Sequence, residues 1–259
     1  DLTGFTMMSE HVSSEELVAL TNAYPKIISE EVHHTGGYVD KFIGDAVMAM
    51  WGAPAENPKH AEGAVRTALR VTERVQKLKE EAESRGEPAF GLKVGIASGS
   101  AVVGNVGVEG RLNYTAVGSV VNIASRLEGV AADYGCPIVV GRETMSQSKG
   151  TMLFNEVDKV RVKGSDRPIS IYQPLGDLHT AGPEYVSYQQ IYTDALSLYR
   201  AQEFEKAISI WNRVDSDSFS SLKNKSTLAP ARIMVHRAKT FVAQSPPRSW
   251  NGVWTKTTK

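Results

Sequence analysis

The sequence predicts an α+β fold with an antiparallel or mixed sheet, followed by a smaller helical extension. Helical and strand-like segments alternate along the first 174 residues, hairpin signals interrupt that alternation, and the pattern becomes wholly helical further on. Strands that alternate with helices without hairpins would favour a fully parallel sheet, so the hairpins favour an antiparallel or mixed one. The predicted division is a main domain at 1–174, a linker at 175–184 and a helical extension with its tail at 185–259.

The first elements are a helix and a hairpin. Apolar residues recur at helical spacing between Ser13 and Gly36, and serines followed by glutamates mark the helix start. The stretch "GYVDKFIGDAVMAMWG" then predicts two short strands around a tight turn at Gly44 and Asp45. A further strand is expected before Asp1, so the first strand is predicted to be truncated.

The middle of the main domain continues the alternation. The stretch "HAEGAVRTALRVTERVQKLKEEAESRG" predicts a long amphipathic helix that ends at Gly86. Alternating apolar residues in "FGLKVGIAS" predict a strand, and the glycines after it mark a turn into a second strand. The stretch "SVVNIASRLEGVAADYG" predicts a helix that Gly135 closes.

The last part of the main domain and the extension complete the pattern. "CPIVVG" predicts a short buried strand, and "FNEVDKVRVKG" and "ISIYQP" predict a terminal pair of strands. The segment 185–214 is typical of one tetratricopeptide-like helix pair. Such an extension either packs on the main domain as an appendage or binds a partner, and Trp250 and Trp254 are expected to anchor the tail.

Composition narrows the classes of function. The 259 residues contain 29 Lys and Arg against 29 Asp and Glu, so no overall positive charge points to nucleic acid. Cys136 is the single cysteine, which excludes an internal disulfide and suits a reducing, cytoplasmic location. The apolar runs are far shorter than the roughly 20 residues of a membrane helix. A membrane anchor is still compatible with an additional N-terminal part.

Two aspartates are candidate metal ligands. Asp45 is predicted at a hairpin tip, where Gly44 allows both the turn and the close approach of a ligand. With Asp1 at an adjacent strand end, it can hold one or two Mg²⁺ ions, which take their other ligands from water and phosphate. The alternatives are a common Gly-Asp turn and an arbitrary chain terminus.

Asn122 and Arg126 form a second candidate group. They lie four residues apart on a predicted helix and therefore share one face. An amide and a guanidinium on one face can bind sugar oxygens and phosphate together, because Arg offers a planar fork of donors. A helix cap beside a solvated Arg is the alternative.

Five sequence blocks, taken together and in order, carry a family resemblance. They are "DLTGFT", "GGYVDKFIGDAVMAMWG", "GLKVGIASGSAVVGNVG", "RLNYTAVGSVVNIASRLE" and "VRVKG". Residues 1–174 thereby resemble the class III nucleotidyl cyclase domain of adenylate and guanylate cyclases, in its bacterial adenylate cyclase type. The resemblance implies a ferredoxin-like βαββαβ core and active sites at the interface of a head-to-tail homodimer.

The resemblance also implies roles for metal- and base-binding residues. Asp1 and Asp45 match the two metal-binding aspartates, with the backbone of Leu2 as a minor ligand, and the implied cofactor is two Mg²⁺ or Mn²⁺ ions per site. Lys41 and Thr115 match the pair that recognises the purine. Lys can donate to adenine N1 and a hydroxyl can accept from the adenine amino group. Guanylate cyclases typically have Glu at the position of Lys41.

The remaining matches concern the sugar and phosphates of the substrate. Asn122 and Arg126 match the pair that orients the ribose and stabilises transition-state charge, and Lys163 matches a lysine that binds the terminal phosphates. The implied activity is adenylate cyclase, which converts ATP to 3′,5′-cyclic AMP and pyrophosphate. The alternatives are a guanylate cyclase, which Lys41 disfavours, and a catalytically silent cyclase-like module that binds nucleotide or a partner. A regulatory domain or partner is expected upstream or at the helical extension.

Overall fold

The computed structural model describes residues 1–5, 12–162, 167–223, 226–247 and 249–256. Within them, helices and strands alternate to β10 and are followed by a mainly helical extension, as predicted. The elements of the first half are β1 (Leu2–Thr3), α1 (Ser14–His34), β2 (Tyr38–Ile43), β3 (Ala46–Met50), α2 (His60–Ser84), β4 (Gly91–Leu92), β5 (Val94–Ile96), β6 (Val102–Val108) and β7 (Arg111–Val117).

The second half completes the main domain and adds the extension. Its elements are α3 (Ser119–Asp133), β8 (Ile138–Gly141), α4 (Arg142–Ser148), β9 (Met152–Arg161), β10 (Ile169–Asp177), α5 (Pro183–Arg200), α6 (Phe204–Trp211), α7 (Ser220–Lys223), α8 (Ala229–Ala243) and β11 (Trp254–Thr255). The segment outside regular structure between β10 and α5 is 178–182, which is narrower than the predicted linker at 175–184.

The largest sheet is mixed, as the sequence predicts. Its strand order is β11-β9-β10-β8-β5. β9, β10 and β8 are antiparallel neighbours, whereas β5 runs parallel to β8 and β11 runs parallel to β9. Three further two-stranded pairs, β1-β4, β2-β3 and β6-β7, are antiparallel. The latter two form hairpins beside the main sheet.

The two faces of the mixed sheet carry different helices. Ile138 and Val140 of β8 pack with Val65 and Ala68 of α2, whereas Val139 belongs to the cluster on the opposite face. This alternation follows from the period of two along a strand. The opposite face is covered by α3 and by the helices of the extension, so the main domain and the extension share one hydrophobic cluster.

A buried polar cluster also joins the extension to the main domain. Arg237 of α8 lies 2.7 Å from the fully buried carboxylate of Asp158 on β9, and Tyr134 donates a hydrogen bond to the same carboxylate. The Arg237 guanidinium stacks over the rings of Tyr134 and Trp254. A paired charge of this kind is costly to break, because either partner alone would be left buried without compensation.

The C-terminal tail contacts the main domain through both predicted tryptophans. Trp250 packs against Tyr199 and Phe241, and Trp254 begins the short strand beside β9. The ammonium of Lys256 donates to the carbonyl of Gly129 on α3 at 2.9 Å. Among the helices of the described ranges, none has the length and apolar character that would let it cross a membrane.

One helix of the main domain was not predicted. α4 directly follows β8, and its sequence "RETMSQS" has only one large apolar residue, so it shows no helical periodicity. Its buried residues are Thr144 and Ser148, which are polar. The structure nevertheless places Thr144 in contact with Ser98 through a hydrogen bond of 3.0 Å.

Candidate active site

Asp1 is fixed by the pairing of β1 with β4. Its amine donates to the carbonyl of Lys93 at 3.0 Å, and the amide of Lys93 donates to the carbonyl of Asp1 at 3.0 Å. Leu2 is only 4% exposed and packs with Tyr24 and Leu92, which anchors the strand. Because hydrogen-bonded and non-hydrogen-bonded pairs alternate in an antiparallel ladder, the carbonyl of Leu2 points away from β4.

Asp45 lies at the tip of the β2-β3 hairpin, as predicted. Ile43 pairs with Ala46, which leaves Gly44 and Asp45 as a two-residue turn. Gly44 has a φ of +63°, a conformation that favours glycine. Burial lowers the pKa of the Asp1 amine, while nearby acidic groups, Asp45 among them, act to raise it. The charge of Asp45 at the hairpin tip therefore acts on the amine of Asp1.

Lys93 is a charged neighbour of Asp1 that the sequence argument missed. Its Nζ lies 2.8 Å from Oδ2 of Asp1 and 2.9 Å from Oε1 of Glu128 on α3. All three side chains are 22–25% exposed. The available signal was a lysine inside the apolar pattern "FGLKVGI". Lys93 therefore links one candidate metal ligand to the helix that carries Asn122 and Arg126.

The donor set at Asp1 and Asp45 suits Mg²⁺ that arrives with a phosphate substrate. Both side chains are carboxylates, and the described residues contain no group of three or more His, Cys, Asp or Glu that could enclose a metal ion. Mg²⁺ commonly takes one or two protein carboxylates and completes its coordination with water and substrate phosphate. The residue types present therefore fit this ion, and the carbonyl of Leu2 is not used in the pairing with β4.

Lys41 and Thr115 meet where the two hairpins touch. Nζ of Lys41 donates to Oγ1 of Thr115 at 2.9 Å, and the Thr115 hydroxyl donates to Oδ2 of Asp40. The rings of Tyr38 and Tyr114 contact edge to face beside them, with centroids 5.5 Å apart. The predicted base-binding pair is therefore brought together, with Asp40 as a third member that the sequence argument did not include.

A β-bulge explains why Asp40 and Lys41 reach the same residue. Val39 pairs with Ala49 and Lys41 pairs with Met48, so Asp40 is an extra residue without a partner in β3. Successive side chains of a regular strand point to opposite faces, whereas a bulge re-aims one of them. The side chain of Asp40 is 0% exposed and that of Lys41 is 37% exposed. The carboxylate is thus enclosed while the ammonium stays accessible.

Asn122 and Arg126 lie on α3, as predicted, and a glycine sets the position of this helix. Asn122 is exposed and Arg126 is half-buried. A Cβ at Gly95 of β5 would overlap the backbone of α3 at Ala124 and Glu128, so glycine permits the close approach of helix and strand.

The structure does not unite all the predicted residues within one chain. Glu128 follows Arg126 by two positions, which is about 200° around a helix. Because Glu128 faces Lys93 and Asp1, Arg126 leaves the helix on the opposite side. The candidate metal ligand Asp1 and the Asn122–Arg126 face of α3 therefore lie on different sides of the helix. Lys163 lies outside the described residues.

Exposed apolar side chains concentrate on the two hairpins. Of the eleven large exposed apolar side chains among the described residues, seven lie on these hairpins. They are Phe42, Ile43, Val102, Val106, Val108, Leu112 and Val117. Val102 pairs with Val117 on the same face of β6-β7 as Thr115, which pairs with Gly104. The two hairpins that carry Lys41 and Thr115 thus present several exposed apolar side chains, which is typical of an interaction site.

A cleft elsewhere on the chain does not include the predicted site. It has a volume of about 390 Å³ and is lined by residues of α4, β9, β10 and α5, among them Met145, Phe154 and Gln189. None of the predicted site residues lines it.

Comparisons with known proteins show the family of the chain. The family model described as the adenylate and guanylate cyclase catalytic domain matches residues 1–174. Adenylate cyclase 1 of Rhizobium meliloti is 40% identical over 176 residues, which cover 68% of this chain. The chain spans only 26% of that relative's length.

Two crystal structures share the fold. The adenylyl cyclase CyaB from P. aeruginosa is 33% identical with a TM-score of 0.65, and the match covers 70% of this chain and 93% of that one. The guanylyl cyclase Cya2 is 28% identical with a TM-score of 0.62, over 70% of this chain and 90% of that one. The family model, the relative and the shared fold agree, and the chain belongs to the adenylate and guanylate cyclase catalytic domain family.

Proposed function

We propose that this protein is an adenylate cyclase, which converts ATP to 3′,5′-cyclic AMP and pyrophosphate. The observation that carries the proposal is the contact between Lys41 and Thr115, which offers an ammonium donor and a hydroxyl at the predicted base site. Lys41 can donate to adenine N1, whereas guanine N1 carries a hydrogen and cannot accept. The similarity to adenylate cyclase 1 of Rhizobium meliloti supports the same choice.

The active form in this proposal is a symmetric homodimer with two sites. Each site takes Asp1 and Asp45 from one subunit and Lys41, Thr115, Asn122, Arg126 and Lys163 from the other. Two features support it. The face of α3 with Arg126 diverges from Asp1 within one chain, and exposed apolar residues lie on the hairpin that carries Thr115. A closed two-fold interface would bury those residues and complete both sites.

In this mechanism the aspartates hold divalent cations. Asp1 and Asp45 would hold Mg²⁺ or Mn²⁺, which would supply a lowered pKa at the ribose 3′-hydroxyl and neutralisation of charge on the triphosphate. Asp1 and Asp45 supply carboxylate oxygens and Leu2 supplies a carbonyl oxygen. Lys93 offsets part of the negative charge at Asp1, at 2.8 Å, and orients its carboxylate.

The other residues position the substrate for intramolecular attack of the 3′-oxygen on the α-phosphorus. Lys41 and Thr115 hold the purine, Asn122 orients the ribose, and Arg126 donates to the phosphate oxygens on which charge develops. Lys163 binds the terminal phosphates. Positioning and charge stabilisation account for the rate enhancement, since no covalent intermediate is required.

The test is product formation by the purified chain. Incubation with ATP and Mg²⁺ or Mn²⁺ should yield 3′,5′-cyclic AMP and pyrophosphate, identified by chromatography and mass spectrometry, and GTP should be a much poorer substrate. Preferential turnover of GTP would instead identify a guanylate cyclase. Nucleotide binding without any cyclic product would identify a silent module. Substitution of Phe42 by Asp should lower both activity and the dimer fraction in sedimentation, as the interface requires.

We also propose where the catalytic part acts and which parts of the protein regulate it. The catalytic part acts in the cytoplasm, where ATP is available and a single reduced cysteine is stable. The α5-α6 pair is proposed as a tetratricopeptide-like unit and as one place where a regulatory partner binds. Segments of a longer protein are the other proposed source of regulation, since the relative from Rhizobium meliloti is much longer than this chain.

A further inference from the structure

We propose that Asp40 determines the preference of the base site for adenine by fixing the direction of the hydrogen bonds that Thr115 makes. The inference rests on the proposed function, because it concerns the purine that Lys41 and Thr115 bind. Asp40 is a positioning residue in this proposal: it contacts Thr115 and Lys41, and the nucleotide contacts only those two.

A threonine hydroxyl alone cannot distinguish an amino group from a carbonyl. It has one hydrogen to donate and two lone pairs with which to accept, and the hydrogen rotates to suit the partner. The 6-amino group of adenine donates, whereas the 6-oxo group of guanine accepts. Thr115 without further constraint would therefore bind either purine edge.

Asp40 removes that freedom. Its Oδ2 accepts the hydrogen of the Thr115 hydroxyl, and an ionised carboxylate can only accept. Its side chain is 0% exposed, so water does not compete for this bond. In a regular strand, the neighbouring side chains of Asp40 and Lys41 would point to opposite faces. The bulge at Asp40 lets both side chains reach Thr115.

The remaining hydrogen-bonding capacity matches adenine. Thr115 donates to Asp40 and accepts from Lys41, so one lone pair is left for a donor. The Lys41 ammonium has three N–H groups. One donates to Thr115 and a second can point to Oδ1 of Asp40, 3.3 Å away, so one N–H group remains for the purine. One acceptor beside one donor is complementary to N6–H and N1 of adenine, and is opposed to O6 and N1–H of guanine.

The decisive substrate is purine riboside triphosphate, which keeps N1 as an acceptor but lacks the 6-amino group. The ratio of kcat/KM for ATP to kcat/KM for this analogue isolates the contact of Thr115 with the amino group. Loss of one hydrogen bond predicts a ratio of about tenfold for the unsubstituted protein. Inosine triphosphate, with a 6-oxo group and N1–H, should be poorer still.

The central variant is Asp40→Asn, which has the same shape and can donate to Thr115. We expect its ATP-to-analogue ratio to fall below about threefold, while its kcat/KM for the analogue stays within about threefold of the unsubstituted protein. The relative use of inosine triphosphate should rise. If Asp40→Asn does not fold, Asp40→Ser serves as the second variant. The control for loss of a negative charge is Asp215→Asn, which removes the carboxylate of an exposed ion pair in the extension.

A double-mutant cycle of Asp40→Asn with Thr115→Val tests whether Asp40 acts through the Thr115 hydroxyl. In the Thr115→Val background, Asp40→Asn should leave the ATP-to-analogue ratio unchanged. The inference would be overturned if Asp40→Asn left the ATP-to-analogue ratio unchanged in the otherwise unsubstituted protein. It would also be overturned if Asp40→Asn changed that ratio in the Thr115→Val background. Absence of cyclisation with every triphosphate would overturn the proposed function instead. The ratio of dissociation constants for the two nucleotides, from calorimetry, would then decide the role of Asp40.

Discussion

Lys41 and Thr115 lie 74 positions apart in the chain, yet Nζ of the first donates to Oγ1 of the second at 2.9 Å. The two residues belong to different hairpins, so neither hairpin alone can form the base site. The contact is therefore sensitive both to the residues themselves and to the packing of one hairpin on the other.

Substitution of Lys41 by Met should weaken the recognition of ATP. Met has similar length but no charge or donor, and a hydrogen bond to a charged group contributes about 1.5–3 kcal/mol, so kcat/KM for ATP should fall roughly 10–100-fold. Steady-state cyclase assays measure the change. Lys239→Met, at an exposed position of α8, should leave the rate unaltered. Equal rates for Lys41→Met and Lys239→Met would contradict the role of Lys41.

Substitution of Arg126 by Ala should lower kcat more than it changes KM. A donor that stabilises charge developed only in the transition state contributes about 10²–10³ in rate. Arg126→Lys should recover only part of this, because it keeps the charge but loses the planar fork. Arg213→Ala on the exposed surface is the matched control. A raised KM at unchanged kcat would show that Arg126 contributes ground-state binding only.

Substitution of Asp45 by Asn should weaken the binding of divalent metal. Loss of one carboxylate ligand is expected to raise the Mg²⁺ concentration for half-maximal activity by about 10–100-fold or more. Binding of Mn²⁺ in the presence of ATP, followed by electron paramagnetic resonance, gives a readout apart from turnover. Asp194→Asn on the exposed face of α5 is the control. Unchanged Mn²⁺ affinity would exclude Asp45 as a ligand.

Substitution of Gly95 by Ala should displace α3. The added methyl group overlaps the helix backbone at Ala124 and Glu128, so the helix must move. We expect a loss of about 1–3 kcal/mol in the free energy of unfolding. We also expect at least a tenfold fall in kcat, because Asn122 and Arg126 move with the helix. Gly150→Ala, where a Cβ meets open space, should alter neither quantity.

Substitution of Arg237 by Met should destabilise the chain by about 3–5 kcal/mol, since Asp158 would be left buried and unpaired. Addition of Asp158→Asn should recover most of that loss. Chemical denaturation measures both variants. If Arg237→Met were as stable as the unsubstituted protein, the extension would be held by apolar contacts alone.

The same variant predicts an unusual pH dependence. Burial raises the pKa of Asp158 above its ordinary value and the charge of Arg237 opposes that rise, so Arg237→Met should raise the pKa further. The folded state then binds a proton more tightly than the unfolded state. The free energy of unfolding of Arg237→Met should therefore increase as the pH falls from 7 toward the ordinary carboxyl range, relative to the unsubstituted protein.

Local patterns predicted the elements that position the site. The β2-β3 hairpin with its Gly44–Asp45 turn and the helix from Ser119 to Asp133 follow from turn chemistry and apolar periodicity. Those signals are local, and each is complete within some fifteen residues. The helix Arg142–Ser148 was missed because its buried residues are polar.

Contacts that depend on tertiary packing could not be predicted in this way. Nothing in "VDKFIGD" marks the bulge, because an extra residue is defined only by the register with β3. The ion pair of Lys93 with Asp1 joins residues 92 positions apart. The family pattern identified Lys41 and Thr115 as partners, but the third member of their cluster, Asp40, became visible only in the fold.

The β2-β3 hairpin carries Lys41 in a strand and Asp45 at its tip, and in the proposed dimer these serve two different sites. A chain with Asp45→Asn and a chain with Lys41→Met are each expected to be strongly impaired as homodimers. Their mixed dimer collects both lesions in one site and leaves the other intact. Random exchange of the two impaired proteins should therefore raise the activity to about a quarter of the full value. Defects in a single hairpin thus complement each other between subunits, and a damaged copy would behave as recessive beside a normal one.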